Sequence, residues 1–342
     1  MSPAARRATA CAVAIATGTL LWSVAARGAE PARPVPAMPG IPSDPALIAR
    51  ILALDADAVS AHDVRETLVH APAPRIIALS GSLPIVTMEP FARFLIAMGY
   101  PEERLRNPAD GTHTYGSFGS SARIAGMLAW HYERDGMMPM LIGHSQGGMM
   151  VVRTLHELAG GFGDAVAVWD PVADEALPRT TIVDPRDGRT RPVVGLTVPY
   201  AAALATGWLP RIFLLQWDVL PRLRSIPDSV DEFAGFTLEW DPIAGETTGG
   251  TPYAANGRAD VRNITLPSSY HHVTLPDAEH LAADAATRAW IDAYAPGSAT
   301  PGPAPDPAAD TANLLHAADI WHSVRRHWCL EAQRLIRATV AP

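Results

Sequence analysis

One stretch limits the folds open to this chain more than any other: Met138-Pro139-Met140-Leu141-Ile142-Gly143-His144-Ser145-Gln146-Gly147-Gly148-Met149-Met150. A short apolar run leads into Gly-His-Ser-Gln-Gly, and an apolar run of helical character follows. This is the G-x-S-x-G pattern in the strand, sharp turn and helix that it needs. Such a turn forces its serine into an unfavourable backbone conformation, and the residues two before and two after must be small or their side chains collide. Gly143 and Gly147 meet that demand. The five-residue pattern alone arises by chance in roughly one chain in ten of this length. Its weight therefore comes from the flanking strand and helix and from the third glycine, Gly148.

Around this stretch the chain alternates. Residues 75–80 form a short buried-type strand, and residues 88–98 repeat apolar side chains at helical spacing. Residues 107–118 are expected to hold another strand and a glycine-rich turn. Residues 122–132 read as a helix capped by Ser120 or Ser121, with His131 a structural residue. After the Ser145 unit, residues 165–169 read as a buried strand ending at Asp170. Residues 172–197 are turn-rich, and 198–217 are apolar but interrupted by Pro199 and Pro210. Strands follow at 236–240 and 261–266, then an amphipathic helix at 282–294. Strand and helix in alternation predict an α/β chain, with a mostly parallel central sheet and helices on both faces.

Gly143-His144-Ser145-Gln146-Gly147-Gly148 resembles the nucleophile elbow of the α/β-hydrolases, lipase- and esterase-like members above all. The likeness extends over about residues 73–295 and is most specific at the elbow. It implies an α/β-hydrolase fold, with a helical cap at about 172–230 whose apolar underside covers the site. It also implies a triad in the chain order Ser, acid, His. Ser145 is then the nucleophile. Asp241, after the penultimate strand, matches the usual acid position, and Asp170 is the alternative. His272 is the preferred base, since His272-Val273 fits the family's step better than His271 does; His280 lies farther on. The oxyanion donors implied are the N–H groups of Gln146 and Ser82, with Leu83 next to Ser82 in position. Where the family often carries His-Gly-x, this chain has Ser80-Gly81-Ser82. No cofactor is expected, and no metal, because nothing near the paired histidines completes a ligand set. The activity implied is hydrolysis of a small-molecule or lipid carboxylic ester. Amide or peptide hydrolysis on the same scaffold is the alternative, as is a non-catalytic envelope binding protein.

The ends of the chain have a different character. Arg6 and Arg7 precede an apolar run over residues 8–22 and small residues to Ala29, the pattern of a secretory signal occupying residues 1–29. A secreted or periplasmic location follows from it. Residues 30–72 read as a proline-rich arm and a helix. Asp55 and Asp57 are spaced like a fragment of a calcium loop, but the remaining ligand positions are missing. Residues 296–307 form a Pro/Ala linker. Over 308–342, Leu314, Ala318, Trp321, Val324, Trp328 and Leu335 fall on one helical stripe. That stripe either docks on the domain or meets a partner or membrane surface. Loss of the signal would leave Cys329 without Cys11, so no internal disulfide is expected. With 27 basic against 35 acidic residues, a net charge of −8 and no basic block, nucleic acid is not an expected partner.

Overall fold

A computed structural model describes residues 41–214, 216–246, 249–297 and 310–340. The expected signal, the proline-rich arm up to residue 40 and most of the linker lie outside the described residues. Five strands, β1 (Ile76–Leu79), β2 (Met140–His144), β3 (Val198–Leu204), β4 (Val230–Leu238) and β5 (Asp260–Leu266), form one sheet in that order. Every pairing is parallel. Outside β1, Tyr115 makes an isolated parallel bridge to Leu79. The chain therefore leaves β1 toward one side and returns on the other to make β2. In open parallel sheets, a crevice opens beyond the C-terminal strand ends at such a reversal.

Strand periodicity explains why both faces are covered. Ile76, Ala78, Met140, Ile142, Ala202, Leu204, Ala234 and Phe236 point into one core. Four helices cover it: α1 (Pro45–Ala53), α3 (Glu89–Ala97), α7 (Ala285–Ala293) and α8 (Leu314–Val340), with α2 (Ala61–Glu66) at its margin. Ile77, Leu79, Leu141, Ala201, Ala203 and Phe233 point the other way, under α4 (Ser121–Asp135) and α5 (Gln146–Leu158). Residues buried on both sides need continuous apolar runs; β1 and β3 supply them throughout, β2 over residues 140–142 and β4 over residues 233–236. β5, at the edge, alternates in exposure.

α8 docks. Trp321, Val324, Trp328 and Leu335 are buried, and the Trp328 indole N–H donates to Pro72 O at 3.0 Å. Polar anchors hold it at the sheet's N-terminal side. His327 lies 2.8 Å from Glu232 of β4, and Ser323 donates to the same carboxylate at 2.6 Å. Glu331 accepts from Met138 N–H at 3.1 Å and pairs with Arg186 at 2.5 Å. Burial works to raise the Glu232 pKa, but His327 and Arg262 outweigh it and hold the carboxyl below the usual range. Cys329 is buried and free, its thiol pushed up to about 11 by burial. Asp55 caps a 3₁₀ turn through Asp57 N–H, and Asp57 pairs with Arg326. Their spacing thus serves a turn and a docking contact.

Three expectations need correction. The helical cap expected over about 172–230 does not form. Val198–Leu204 within that range is the central strand β3. Residues 172–197 carry two small antiparallel ladders, Trp169–Asp170 with Glu175–Ala176 and Thr181–Val183 with Thr190–Pro192. The helical pieces are α6 (Leu209–Phe213) and the 3₁₀ turn Trp217–Arg222. Seven apolar residues in a row fit a strand buried on both faces as well as the underside of a cap, so pattern alone does not separate the two. Pro199 is tolerated because pairing to β2 begins only at Ala201, and the β4 ladder passes over it. The strand expected at 165–169 reduces to Trp169–Asp170, outside the main sheet. The strand expected within 107–118 reduces to the single bridge at Tyr115.

Two outcomes follow for stability. Trp328→Ala, which removes a fully buried indole, is expected to destabilise the protein by about 3–5 kcal/mol in urea unfolding. His316 on α8 is fully buried with its pKa lowered to about 4 by desolvation. Between pH 6.5 and 4 the unfolded chain therefore binds the extra proton, and stability falls as pH drops through that window. The loss from this residue is on the order of 3 kcal/mol. His316→Gln can keep the bond to Leu275 O. Denaturation midpoints at pH 7 and pH 4 should differ less in that variant than in the wild type.

Candidate active site

Ser145 joins β2 to α5 with φ 54° and ψ −110°, a region that L-residues rarely occupy. Holding it there costs on the order of 1–3 kcal/mol. The neighbouring contacts impose it. A methyl carbon built on Gly147 would lie 2.1 Å from Leu79 O, and one on Gly143 would lie 2.3 Å from the Gly147 backbone. One on Gly148 would lie 1.9 Å from Thr206 Oγ1. The first two glycines face backbone that cannot yield, whereas the third faces a side-chain hydroxyl. Ser145 N–H donates to Leu204 O at 2.8 Å, and the Thr206 hydroxyl donates to Ser145 O at 3.2 Å. The end of β3 therefore clamps the turn from both sides.

The parallel sheet gathers the other groups at the same edge. Three residues beyond β4, Asp241 exchanges backbone hydrogen bonds with Glu246 at 2.7 and 2.8 Å, closing a tight loop. Its Oδ1 accepts from Ala244 N–H at 2.9 Å, which fixes the carboxylate. Beyond β5, a 3₁₀ turn begins at His272. Asp241 Oδ2 lies 2.7 Å from His272 Nδ1, and His272 Nε2 lies 3.0 Å from Ser145 Oγ. A carboxylate can only accept, so Nδ1 carries the proton and Nε2 is left to accept from the hydroxyl. Asp241, His272 and Ser145 are all buried.

His144 supports this chain from below. Its Nε2 lies 2.7 Å from His272 O. A carbonyl cannot donate, so Nε2–H is the donor. Burial, with the nearby His272 ring, lowers its pKa to about 3. A methyl group on Gly81 would lie 3.1 Å from His144 Nδ1 and 3.4 Å from Ser145 Cβ. The loop with Ser82 and Leu83 therefore passes beside the turn. Ser80 N–H is already bonded to Tyr115 O. Gln146 is the first residue of α5, where N–H groups have no carbonyl one turn back to bond.

The alternatives lie elsewhere. Asp170 caps its own loop, accepting from Val172 and Ala173 N–H at 2.8 and 3.2 Å. Slight burial works against them, yet those bonds lower its pKa. His271 is exposed, and His280 lies 3.7 Å from Asp310. Among the described residues no group of acidic, His and Cys side chains could hold a metal ion. A hollow of about 690 Å³ between Thr237, Glu239, Asn263 and Thr265 touches none of the three hydrogen-bonded residues.

Sequence reasoning missed Thr206, Ser117 and Arg211. Ser117 donates to Gly81 O at 3.2 Å, and its carbonyl accepts from Gln146 Nε2 at 3.5 Å. Arg211 Nη1 donates to Gln146 Oε1. Recognition of β3 as a strand would have placed Thr206 at its end, and an arginine within an apolar run was the signal for Arg211. Exposed apolar side chains stand on the segments that follow the strands at this edge. Ile85 follows β1, Trp208, Phe213 and Trp217 follow β3, and Trp240 and Ile243 follow β4; Ile85 is 90 % and Phe213 75 % exposed. No protein-family model and no curated protein matches this chain.

Gly147→Ala should therefore displace α5 from β1. A loss of at least about 2 kcal/mol is expected in urea unfolding. Gly119→Ala, where an added methyl meets nothing within 4 Å, should stay within about 0.5 kcal/mol of the wild type.

Proposed function

We propose that this protein is a serine hydrolase of the α/β-hydrolase type that cleaves carboxylic esters through an acyl-enzyme. The observation that carries the reading is the chain of hydrogen bonds Asp241–His272–Ser145, 2.7 and 3.0 Å long. A serine hydroxyl attacks a carbonyl only when a base takes its proton. His272 Nε2 takes it and later returns it to the leaving alcohol, while Asp241 holds the tautomer and stabilises the imidazolium. The tetrahedral oxyanion forms beside the first N–H groups of α5, with Gln146 N–H as one donor and Ser82 N–H, from the loop after β1, as the other. Water, activated by the same imidazole, then releases the acid. The mechanism uses no cofactor.

The order of the parallel strands, with Ser145 after β2, the acid after β4 and the base after β5, supports the α/β-hydrolase assignment. The exposed apolar side chains on the segments after the strands favour an ester with a hydrophobic acyl or alcohol group, from a small molecule or a lipid. The features of residues 1–29 support export to the periplasm or the medium.

The test is a fluorophosphonate probe with peptide mapping, beside hydrolysis of nitrophenyl esters and a matching anilide. A single adduct on Ser145 is expected, and ester turnover falling at least about 10⁴-fold in Ser145→Ala and in His272→Ala. Turnover that survives Ser145→Ala would overturn the assignment, and faster cleavage of the anilide would replace the esterase with an amidase.

A further inference from the structure

Arg211, in the middle of α6, is fully buried. Three other arginines drawn toward the interior face an acid: Arg325 faces Asp292, Arg262 faces Asp319 and Glu232, and Arg224 faces Glu246. Arg211 has no such partner among the described residues. Its Nη1 donates to two neutral acceptors, Gln146 Oε1 and, at 2.6 Å, Gln216 Oε1, and its Nε has no partner. Burial alone lowers its pKa, to about 10, so at neutral pH the guanidinium is still charged. An uncompensated buried ion costs several kcal/mol. A fold that retains one beside its most constrained turn points to a negative charge that arrives only during use.

The position identifies that charge. Gln146 follows Ser145 directly, and its side chain is held between Arg211 and the Ser117 carbonyl. We propose that Arg211 is a positioning residue of the oxyanion site: it fixes Gln146 and supplies a preorganised positive charge whose counter-charge is the oxyanion of the tetrahedral intermediate. The inference rests on the serine-hydrolase reading above. When Ser145 Oγ bonds to the carbonyl carbon, the carbonyl π pair moves onto oxygen and the hydroxyl proton moves to His272 Nε2. The new negative charge lies on the Gln146 side of the turn and the new imidazolium on the other. No further reactant is involved. Charge fixed before the reaction in a water-poor site stabilises the intermediate without reorganising at the moment of attack.

The experiment compares Arg211→Gln and Arg211→Lys with the wild type. It uses kcat and KM for a short-chain nitrophenyl ester, and affinity for phenylboronic acid, which forms an anionic tetrahedral adduct with an activated serine. Acting at one remove from the oxyanion, Arg211 should contribute less than a direct donor. Arg211→Gln is expected to lower kcat about 10- to 100-fold with KM nearly unchanged, and boronate affinity by a similar factor. Arg211→Lys, which keeps the charge, should retain most of both. Equal losses in the two variants would show that the planar fork alone matters and would overturn the electrostatic role. So would a loss confined to KM, or an Arg211→Gln variant with wild-type kcat. The fluorophosphonate adduct separates the two levels: an adduct on wild-type Ser145 with no effect at Arg211 removes this inference alone, whereas no adduct removes the hydrolase reading with it.

Discussion

The first turn of α5 lies so close to the ends of β1 and β2 that no methyl group fits between them. Leu79 of β1, Gly143 of β2, Ala203 of β3 and Gly235 of β4 are in register across the sheet. Gly143 and Ala203 are small, so α5 can cross there with its backbone almost touching the strands, while the Tyr253 ring fills the space over Gly235. The approach leaves Ser145 a single way to join strand to helix, at positive φ. The backbone strain is offset by the packing of α5, whose buried residues include Met149, Val151, Val152 and Leu155. A side-chain hydroxyl lifted out of the sheet edge is the geometric consequence. Everything that converges on it comes from loops that leave the same edge.

Legibility in the sequence followed the same division. Where several local rules agreed, as at residues 138–150, position and conformation were readable from residue types. The reach from Ser145 to Asp241 and His272 was readable because each follows a recognisable strand, and a parallel sheet brings those ends together. What failed was the region between Trp169 and Val230. There an apolar run has no single period, and Pro199 and Pro210 suggest interruption, although the first of these lies inside β3. Only tertiary pairing, with β4 along the strand and with β2 from Ala201 onward, decides that Val198–Leu204 is the centre of the sheet. Arg211 and Thr206 were hidden by the same ambiguity, since their relation to Ser145 exists only once β3 is in place.

The opposite edge of the sheet is organised for anchoring. Glu232 and Glu331 are both nearly inaccessible, and each draws several donors from elements far apart in sequence. A helix of 27 residues is about 40 Å long, enough to cross the strands of one face. Its tryptophans supply apolar burial, and its His327, Ser323 and Glu331 fix its rotation. Truncating either carboxylate would leave buried donors unpaired, which costs more than the bond itself contributes. The charges therefore specify where α8 sits, while the apolar stripe supplies the stabilisation.

At the site edge, charge is distributed by the same physics with the opposite outcome. The His144 and His272 rings are 5.1 Å apart. Were both cationic they would repel in a medium that screens poorly. Burial keeps His144 neutral, and its one N–H is committed to the His272 carbonyl. In the proposed reaction only His272 becomes charged, and Asp241 is already in place at 2.7 Å to meet that charge. A neutral imidazole that is both rigid and a donor anchors the base without competing for its proton. An amide at this position could hold the same carbonyl. A lysine could do so only by adding a charge that would oppose the imidazolium. The requirement on residue 144 is thus a neutral donor long enough to reach past the turn, and that requirement links the residue before the nucleophile to the base 128 positions later.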